Sequence, residues 1–430
     1  MQAPGAILPD LTCQLHTLDN GLRVVLHREP SLPLVAVNLW YHVGSKNERS
    51  GRTGFAHLFE HMLFQGSANV PIHEHFRQVQ RVGGVLNGST WYDRTNYYET
   101  LPAHHLELGL WLESDRMGFL LPAVTQQNLD TQRDVVMNER RQRVENQPYG
   151  RATERLHELL YPADHPYHWP VIGYLDDIAA ASLEEVRAFC RTYYTPNNAV
   201  LTVAGDIDPA AALALVERWF GDIPRGPQPP PVDAADLPSL DGEHREELPD
   251  DVRLARVYFG FRAPPYGDAK WYAGDLLSGV LSAGKSSVLY RDLVYRRQLA
   301  QEVGVHLDPT ELAGTFYVVA TAKPGIEPEA LVEALGEHLA GAAAAPPAPE
   351  DFERARNKAL TDIWGVLQKL DHRADLLSQY TTYFDDPSGL AREAERYAAL
   401  RPEELADFAA EVCRPERRVV VTVVPREAAA

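Results

Sequence analysis

The 430-residue sequence contains few cysteines. Its three cysteines, Cys13, Cys190 and Cys413, are far apart and odd in number. Such spacing offers neither a disulfide framework nor a Cys-x-x-Cys metal site. Buried free thiols are the simpler interpretation, because an unpaired cysteine behaves as a small hydrophobic residue.

Long apolar runs are also absent. No stretch approaches the ~18 consecutive apolar residues that indicate a membrane span. Residues 1–14 lack both the basic segment and the apolar core of a secretion signal. We therefore expect no membrane association and a cytoplasmic location, with the periplasm as the alternative if a signal peptide has been removed.

The sequence has fewer basic than acidic residues. It contains 41 Lys and Arg and 60 Asp and Glu, which give a formal net charge of -19. The overall field repels nucleic acid, which we do not expect as a partner. With 45% hydrophobic and 23% charged residues, the composition is typical of globular proteins. The length suits two domains.

A proline-rich, acidic segment divides the chain. Residues 226–251 have four prolines between positions 227 and 231 and few large apolar side chains. This composition is typical of a stiff, solvated linker. The sequence therefore predicts a domain at 1–225, a linker at 226–251 and a second domain at 252–430.

The two predicted domains resemble each other in the order of their elements. Each begins with strand-like residues, continues into a helical segment and then offers paired strands rich in β-branched and aromatic residues. Residues 182–206 and 401–425 align as a capped helix, a polar turn and a β-branched strand. We predict an α+β protein of two homologous domains, each a mostly antiparallel β-sheet packed with helices, related by internal duplication.

The segment HLFEH, residues 57–61, carries the strongest chemical signal. On a helix, which Thr53 is predicted to cap, His57 and His61 lie one turn apart on the same face. Two imidazoles placed in this way can bind one zinc ion. Glu60 lies beside that face and can accept a proton from water, and H-x-x-E-H is the inverzincin signature. A partly buried helix with two hydrogen-bonded histidines is the simpler alternative.

A catalytic zinc site needs a third protein ligand and an open position. Residues 128–144 are predicted to form a second helix, because their apolar residues recur at helical spacing. Glu139 on this helix is the candidate third ligand.

Three segments together resemble one family of proteins. They are GRTGFAHLFEHMLFQGS, GGVLNGSTWYDRTNYYET and QRDVVMNERRQRVENQPYG, and they occur in this order. They are similar to motifs of the pitrilysin/insulinase superfamily of zinc peptidases, which includes the mitochondrial processing peptidase. The resemblance covers nearly the whole chain.

The resemblance implies a zinc-dependent metalloendopeptidase. It makes His57, His61 and Glu139 the expected Zn2+ ligands and Glu60 the expected general base. Peptides or unfolded polypeptide segments would be hydrolysed inside an enclosed chamber. A non-catalytic structural subunit of a peptidase-like complex is the alternative, since some relatives have lost the site.

The resemblance also indicates two positions near the metal. Family members often have a glutamate seven residues before the third ligand, where this chain has Gln132, whose amide can orient a ligand but adds no charge. The family's GGxxN strand binds substrate as an added strand, and here it contains Gly83, Gly84 and Asn87. For Asn87 and Gly88, a plain hairpin turn is the alternative.

The expected partners are peptide substrates and a second chain. Family members commonly form homodimers or pair an active chain with a homologous inactive one. Active pairs often use an arginine and a tyrosine of the second domain, seven residues apart, where this chain offers Phe316 and Lys323. We therefore expect a dimer and favour a companion chain that supplies those two groups.

Two other patterns lie outside the proposed site. Residues 279–286, GVLSAGKS, match the P-loop pattern GxxxxGK[ST] and raise nucleotide binding as a further alternative, although the preceding residues have helical periodicity. This region corresponds to the HLFEH helix but has no histidine or glutamate, so the second domain is predicted to lack a metal site. His73 and His75 are expected to be solvated or to cap a helix.

Overall fold

The computed structural model describes residues 11–232 and 237–426, which contain one β-sheet in each half of the chain. The strands of the first sheet are β1 (Cys13–Thr17), β2 (Arg23–Arg28), β3 (Leu34–Tyr41), β4 (Val85–Thr90), β5 (Thr95–Pro102) and β6 (Ala199–Gly205). Those of the second are β7 (His244–Asp250), β8 (Arg256–Ala263), β9 (Ala300–Leu307), β10 (Gly314–Ala322) and β11 (Val419–Pro425).

The two sheets share one topology. The first has the order β1-β2-β6-β3-β5-β4 and the second β7-β11-β8-β10-β9, so each strand except β1 has a counterpart in the other sheet. The pairs β2–β6 and β7–β11 are parallel, and the other pairs are antiparallel. The predicted fold class is therefore confirmed, including its two similar, mostly antiparallel sheets.

The helices also occur in corresponding order. The first half contains α1 (Phe55–Met62), α2 (Glu74–Arg81), α3 (Leu106–Phe119), α4 (Gln126–Arg140), α5 (Ala152–Leu160), α6 (Leu175–Ala179), α7 (Leu183–Tyr193) and α8 (Pro209–Phe220). The second contains α9 (Ala269–Ser282), α10 (Pro328–Ala344), α11 (Pro349–Leu367), α12 (Leu370–Phe384), α13 (Gly389–Ala399) and α14 (Pro402–Val412). The run α3–α7 between β5 and β6 thus matches α10–α14 between β10 and β11. Among the described helices, none is both long and apolar enough to cross a bilayer.

Shorter helical turns complete the secondary structure. Single 3-10 turns occupy Ser45–Asn47, Ala103–His105, Leu121–Ala123, Pro196–Asn198 and Pro415–Arg417. π-helical turns occupy Arg141–Glu145, directly after α4, and Tyr290–Arg296, before β9.

One helix of each half packs on the sheet of the other half. α5 lies against β8 and β11, and its counterpart α12 lies against β2, β3, β5 and β6, so the exchange is reciprocal. Leu156 and Leu160 of α5 are fully buried, and they fit against Gly260 of β8 because that residue has no side chain. Leu377 of α12 packs against Trp40 of β3. Each sheet thus buries one face with apolar residues from the other half.

A carboxylate on α12 adds a polar contact to this interface. Asp375 accepts hydrogen bonds from Trp40 Nε1 at 2.7 Å, Asn96 Nδ2 at 2.9 Å and Asn38 Nδ2 at 3.2 Å. The three donors lie on β3 and β5. All three donors are buried, so the Asp375 carboxylate is the hydrogen-bond acceptor that water cannot supply there.

The predicted linker needs a correction. Residues 226–251 were expected to be solvated throughout, but His244–Asp250 form β7, which pairs in parallel with β11. The sequence HREELPD has almost no apolar residues, and it forms a strand because its backbone bonds to β11, which side-chain patterns do not reveal. Residues 233–236 of this segment lie outside the described part. The domain boundaries stay a prediction.

We expect Leu156→Ala to destabilise the whole chain, because it removes apolar contacts between the halves. The cost should be about 2–5 kcal/mol in the free energy of unfolding, measured by urea denaturation. Thr153→Ala, on the exposed side of the same helix, is the control and should unfold like the wild type. A free energy of unfolding within about 1 kcal/mol of the wild type for Leu156→Ala would contradict the packing described.

Candidate active site

α1 presents the HLFEH residues at the edge of the first core. Its apolar residues are buried in that core, and they are Phe55, Ala56, Leu58, Phe59 and Met62. His57, Glu60 and His61 lie on the other side of the helix, half-buried, and line a cleft. The helical spacing predicted from the sequence thus places the three polar side chains together.

The prediction that Thr53 caps α1 is wrong. Gly54, with a φ of 85°, is the N-cap residue. The Glu48 carboxylate accepts hydrogen bonds from the backbone N–H groups of Gly54 (2.8 Å) and Ala56 (2.7 Å), whereas the Thr53 hydroxyl donates to Asp177 (2.7 Å). These two hydrogen bonds satisfy N–H groups at the start of α1, which have no partner within the helix.

α4 brings the third candidate ligand to the site. Its N-terminus is capped by Thr125, whose hydroxyl oxygen accepts a hydrogen bond from the backbone N–H of Asn128 at 3.2 Å. α4 packs against α1, so Glu139, near its C-terminal end, faces the two histidines. The π-helical turn follows immediately, and such turns are frequent at functional sites.

The two imidazoles and the carboxylate converge. Glu139 Oε2 lies 3.3 Å from His61 Nε2 and 3.9 Å from His57 Nε2. One ligand atom from each of the three residues lies within 4.8 Å of the others. Two imidazoles and one carboxylate are the donor set of the His2Glu class of catalytic zinc sites. The chemistry and the spacing of these residues therefore fit a zinc ion.

The charges of the site also suit a metal. Burial, helped by the neighbouring His61, lowers the pKa of His57 to about 4, so its ring is neutral at pH 7 and keeps a lone pair for a metal. The hydrogen bond with His61 lowers the pKa of Glu139, which is therefore ionised. Arg143, in the π-helical turn, pairs with Glu139 Oε1 at 2.7 Å and leaves Oε2 facing the imidazoles.

Glu60 lies beside this group. Its Oε2 accepts a hydrogen bond from the Thr90 hydroxyl at 2.5 Å, and burial raises the pKa of its carboxyl. A raised pKa makes a carboxylate a stronger proton acceptor near neutral pH. Sequence reasoning missed Thr90, because a threonine at the end of a strand carries no chemical pattern. Arg143, four residues after Glu139 on the same helix face, could have been found from its spacing.

The cleft at this site has a volume of about 600 Å³. Phe64 and Phe76 form its apolar part, next to the three polar residues of α1. Gln132 also lines the cleft and is buried, two turns before Glu139 on α4. Asn87 lines it from β4 and is exposed. All the site residues predicted from the sequence thus border one cleft.

β4 is an edge strand. Among the described strands it pairs only with β5. Asn87 and Gly88 lie within β4, opposite Tyr98 and Tyr97, so the alternative of a hairpin turn at these residues is wrong. The turn occurs at residues 91–94, where Trp91 N–H donates to the Arg94 carbonyl at 2.8 Å. A free edge can bind an extended peptide through main-chain hydrogen bonds.

The paired glycines before β4 have a structural role. Gly83 has a φ of +81°, a conformation that favours glycine. A side chain on Gly84 would come within 2.4 Å of Leu101. The two glycines therefore turn the chain from α2 into the edge strand and let that strand approach the core.

A second group of potential ligands lies deeper in the first half. His75, Glu99 and Glu113 are buried and close enough to hold a cation. However, Arg116 Nη2 lies 2.5 Å from His75 Nε2 and 3.1 Å from Glu113 Oε1, and it already supplies the compensating positive charge. The expectation that His75 is solvated or caps a helix is wrong. It belongs to a buried polar network.

The second half has no equivalent site among its described residues, since both groups of potential ligands lie in the first half. The P-loop alternative is wrong, because residues 279–282 are the last turn of α9 and not a loop that follows a strand. Phe316 is fully buried in the second core. The Lys323 ammonium donates to the Val294 carbonyl at 3.3 Å.

Two protein families match parts of this chain. Residues 23–167 match the family described as Insulinase (Peptidase family M16), and residues 180–359 match the Peptidase M16 inactive domain. The zinc protease PqqE of Helicobacter pylori is 29% identical over 412 residues, which cover 95% of this chain and 92% of that protein. An uncharacterised zinc protease of Mycobacterium leprae is 30% identical over 72% of this chain and 69% of its own length.

A solved structure has the same fold. The crystal structure of a protease from Helicobacter pylori superposes with a TM-score of 0.90 at 29% identity, and it covers 96% of this chain and 99% of that one. The resemblance seen in the sequence is thereby confirmed, and the chain belongs to the insulinase family, peptidase family M16.

Proposed function

We propose that this chain is a zinc-dependent metalloendopeptidase. The observation that carries the proposal is the convergence of His57, His61 and Glu139, with Glu60 beside them, in a cleft bordered by a free sheet edge. His57, His61 and Glu139 would hold Zn2+. The zinc protease names of the relatives support this choice of metal.

Different residues of the chain would contribute to different steps of hydrolysis. A bound zinc ion would act as a Lewis acid that activates water and polarises the peptide carbonyl. Glu60 would take the proton of the attacking water and pass it to the nitrogen of the leaving amine, which conserves the proton. β4 would bind the peptide backbone, with Asn87 in contact with the substrate. Gln132 would orient a ligand by hydrogen bonding.

The alternative is a non-catalytic structural subunit. Residues 180–359, which include much of the second half, match an inactive-domain family, and the described residues of the second half contain no group of potential metal ligands. The first half differs, because two imidazoles and a carboxylate lie close together there, with an additional glutamate on the same helix as the imidazoles. A subunit without catalytic function has no need of this combination, so we favour the enzyme.

The decisive experiment measures zinc stoichiometry together with peptidase activity. Purified protein should contain about one zinc per chain and cleave unfolded polypeptides, while a folded protein too large for an enclosed chamber should resist. A chelator should abolish cleavage, and added zinc should restore it. Bound zinc without cleavage, alone or with a homologous partner, would favour the structural subunit.

Glu60→Gln should keep the zinc and lose the activity. The amide cannot accept the proton of water, so kcat should fall by at least about 100-fold. Metal analysis and peptide hydrolysis test this directly, with Glu74→Gln on the neighbouring helix α2 as a control that should behave as the wild type. Near wild-type turnover in Glu60→Gln would show that Glu60 is not the base.

His61→Ala should lose the metal itself. Two remaining ligands rarely hold a catalytic zinc ion, so the zinc content after dialysis should be close to zero. His73→Ala, a histidine outside the site, serves as the control and should keep its zinc. Wild-type zinc content in His61→Ala would refute the ligand assignment.

We further propose that the chain works as a dimer whose second member supplies substrate-binding groups. Phe316 lies in the core, and Lys323 is bonded to a backbone carbonyl, so neither borders the cleft. The chain alone should therefore hydrolyse peptides slowly. Addition of a homologous chain that has the second-domain arginine and tyrosine should accelerate this hydrolysis. Light scattering and kinetics on the purified chain test this, and a fully active homodimer would contradict it.

A further inference from the structure

Thr90 connects the substrate edge of the site to its base. It is the last residue of β4, the free edge strand. Its hydroxyl donates to Glu60 Oε2 at 2.5 Å, across from β4 to α1. A hydrogen bond therefore connects Glu60 to β4, the strand that is proposed to bind the peptide backbone. The Thr90–Glu60 hydrogen bond is short enough to define where the carboxylate lies.

The turn that follows Thr90 is anchored by residues of both halves of the chain. Asp93 accepts hydrogen bonds from the Tyr167 hydroxyl at 2.6 Å and from the backbone N–H of Glu311 at 3.1 Å. Lys46, which is buried, contacts both Asp93, at 3.3 Å, and the Glu311 carboxylate. Glu311 belongs to the loop between β9 and β10. This network fixes the end of the β4–β5 hairpin.

The hairpin is also braced from within. Arg94 Nη1 donates to the Ser89 carbonyl at 2.9 Å and contacts Asn96 Oδ1 at 3.2 Å. Thr90 lies between these internal bonds and the anchored turn, so its backbone is held on both sides. A hydroxyl on a fixed backbone can orient a neighbouring carboxylate, whereas one on a mobile loop cannot.

We propose that Thr90 is the positioning residue for Glu60. Its hydroxyl donates to one oxygen of the Glu60 carboxylate. This hydrogen bond fixes the Glu60 side chain beside His57, His61 and Glu139 and next to the edge strand that would bind the peptide. This inference rests on the proposed peptidase function. It also gives the second half a part in the reaction, because Glu311 of that half helps to anchor the turn next to Thr90.

Thr90→Val and Thr90→Ser separate the hydroxyl from the shape of the side chain. Valine keeps the branched shape and removes the donor, while serine keeps the donor. In the zinc-loaded protein, Thr90→Val should lower kcat about 10- to 100-fold, the effect of losing one hydrogen bond to a charged group. KM and zinc content should stay within about twofold of the wild type, because neither ligands nor substrate contacts change. Thr90→Ser should recover most of kcat.

Crystal structures of the same three zinc-loaded proteins give a readout that does not depend on activity. The Glu60 carboxylate should occupy the same position in the wild type and in Thr90→Ser. In Thr90→Val it should move away from that position. Thr192→Val, which removes a hydroxyl of α7 that donates to the Ala188 carbonyl, is the matched control and should change neither kcat nor the position of Glu60.

The proposal is overturned if Glu60 keeps its position in Thr90→Val, if kcat is unchanged there, or if Thr90→Ser is as impaired as Thr90→Val. If the wild type binds zinc but cleaves no peptide, the peptidase function fails. The crystal structures then still decide whether Thr90 holds Glu60.

Discussion

The packing of α4 against α1 is the contact on which the site depends. Two histidines one turn apart provide two potential ligands, and a second helix, α4, brings a carboxylate to within 3.3 Å of the nearer ring nitrogen. Each helix is held by its own cap, Glu48 for α1 and Thr125 for α4. Because the apolar sides of both helices are buried in one core, their polar sides meet at its border.

The second half contributes through packing. It has the same sheet topology but no ligand group in its described residues. Its helix α12 covers the first sheet, α5 covers the second in return, and Asp375 satisfies three buried donors at this interface. The second half thus covers one face of the first sheet with α12 and, through Glu311, helps to anchor the turn after β4.

The buried polar groups of the first half fall into two kinds. In the deeper group, Arg116 balances the ionised Glu113. Burial lowers the pKa of His75 to about 4 and raises the pKa of Glu99, so both are neutral and no net charge remains for a cation to balance. The ligand group at α1 has one ionised carboxylate and a neutral His57, and it opens into a cleft. The difference in local charge balance, more than the types of residue, is the reason why we propose the metal site at α1 and not in the buried network.

The sequence alone determined the two-domain α+β class and the matching ends of the halves, because helical spacing and strand patterns are local properties. It also predicted the site residues: His57, Glu60 and His61 from their spacing on one helix, and Glu139 with the support of the family resemblance. It did not show β7, the exchange of α5 and α12, the cap by Glu48 or the contact of Thr90 with Glu60. These depend on residues that are distant in the chain and meet only when the halves pack. Only the tertiary structure could decide them, since backbone pairing and contacts between elements leave no periodic signal in the sequence.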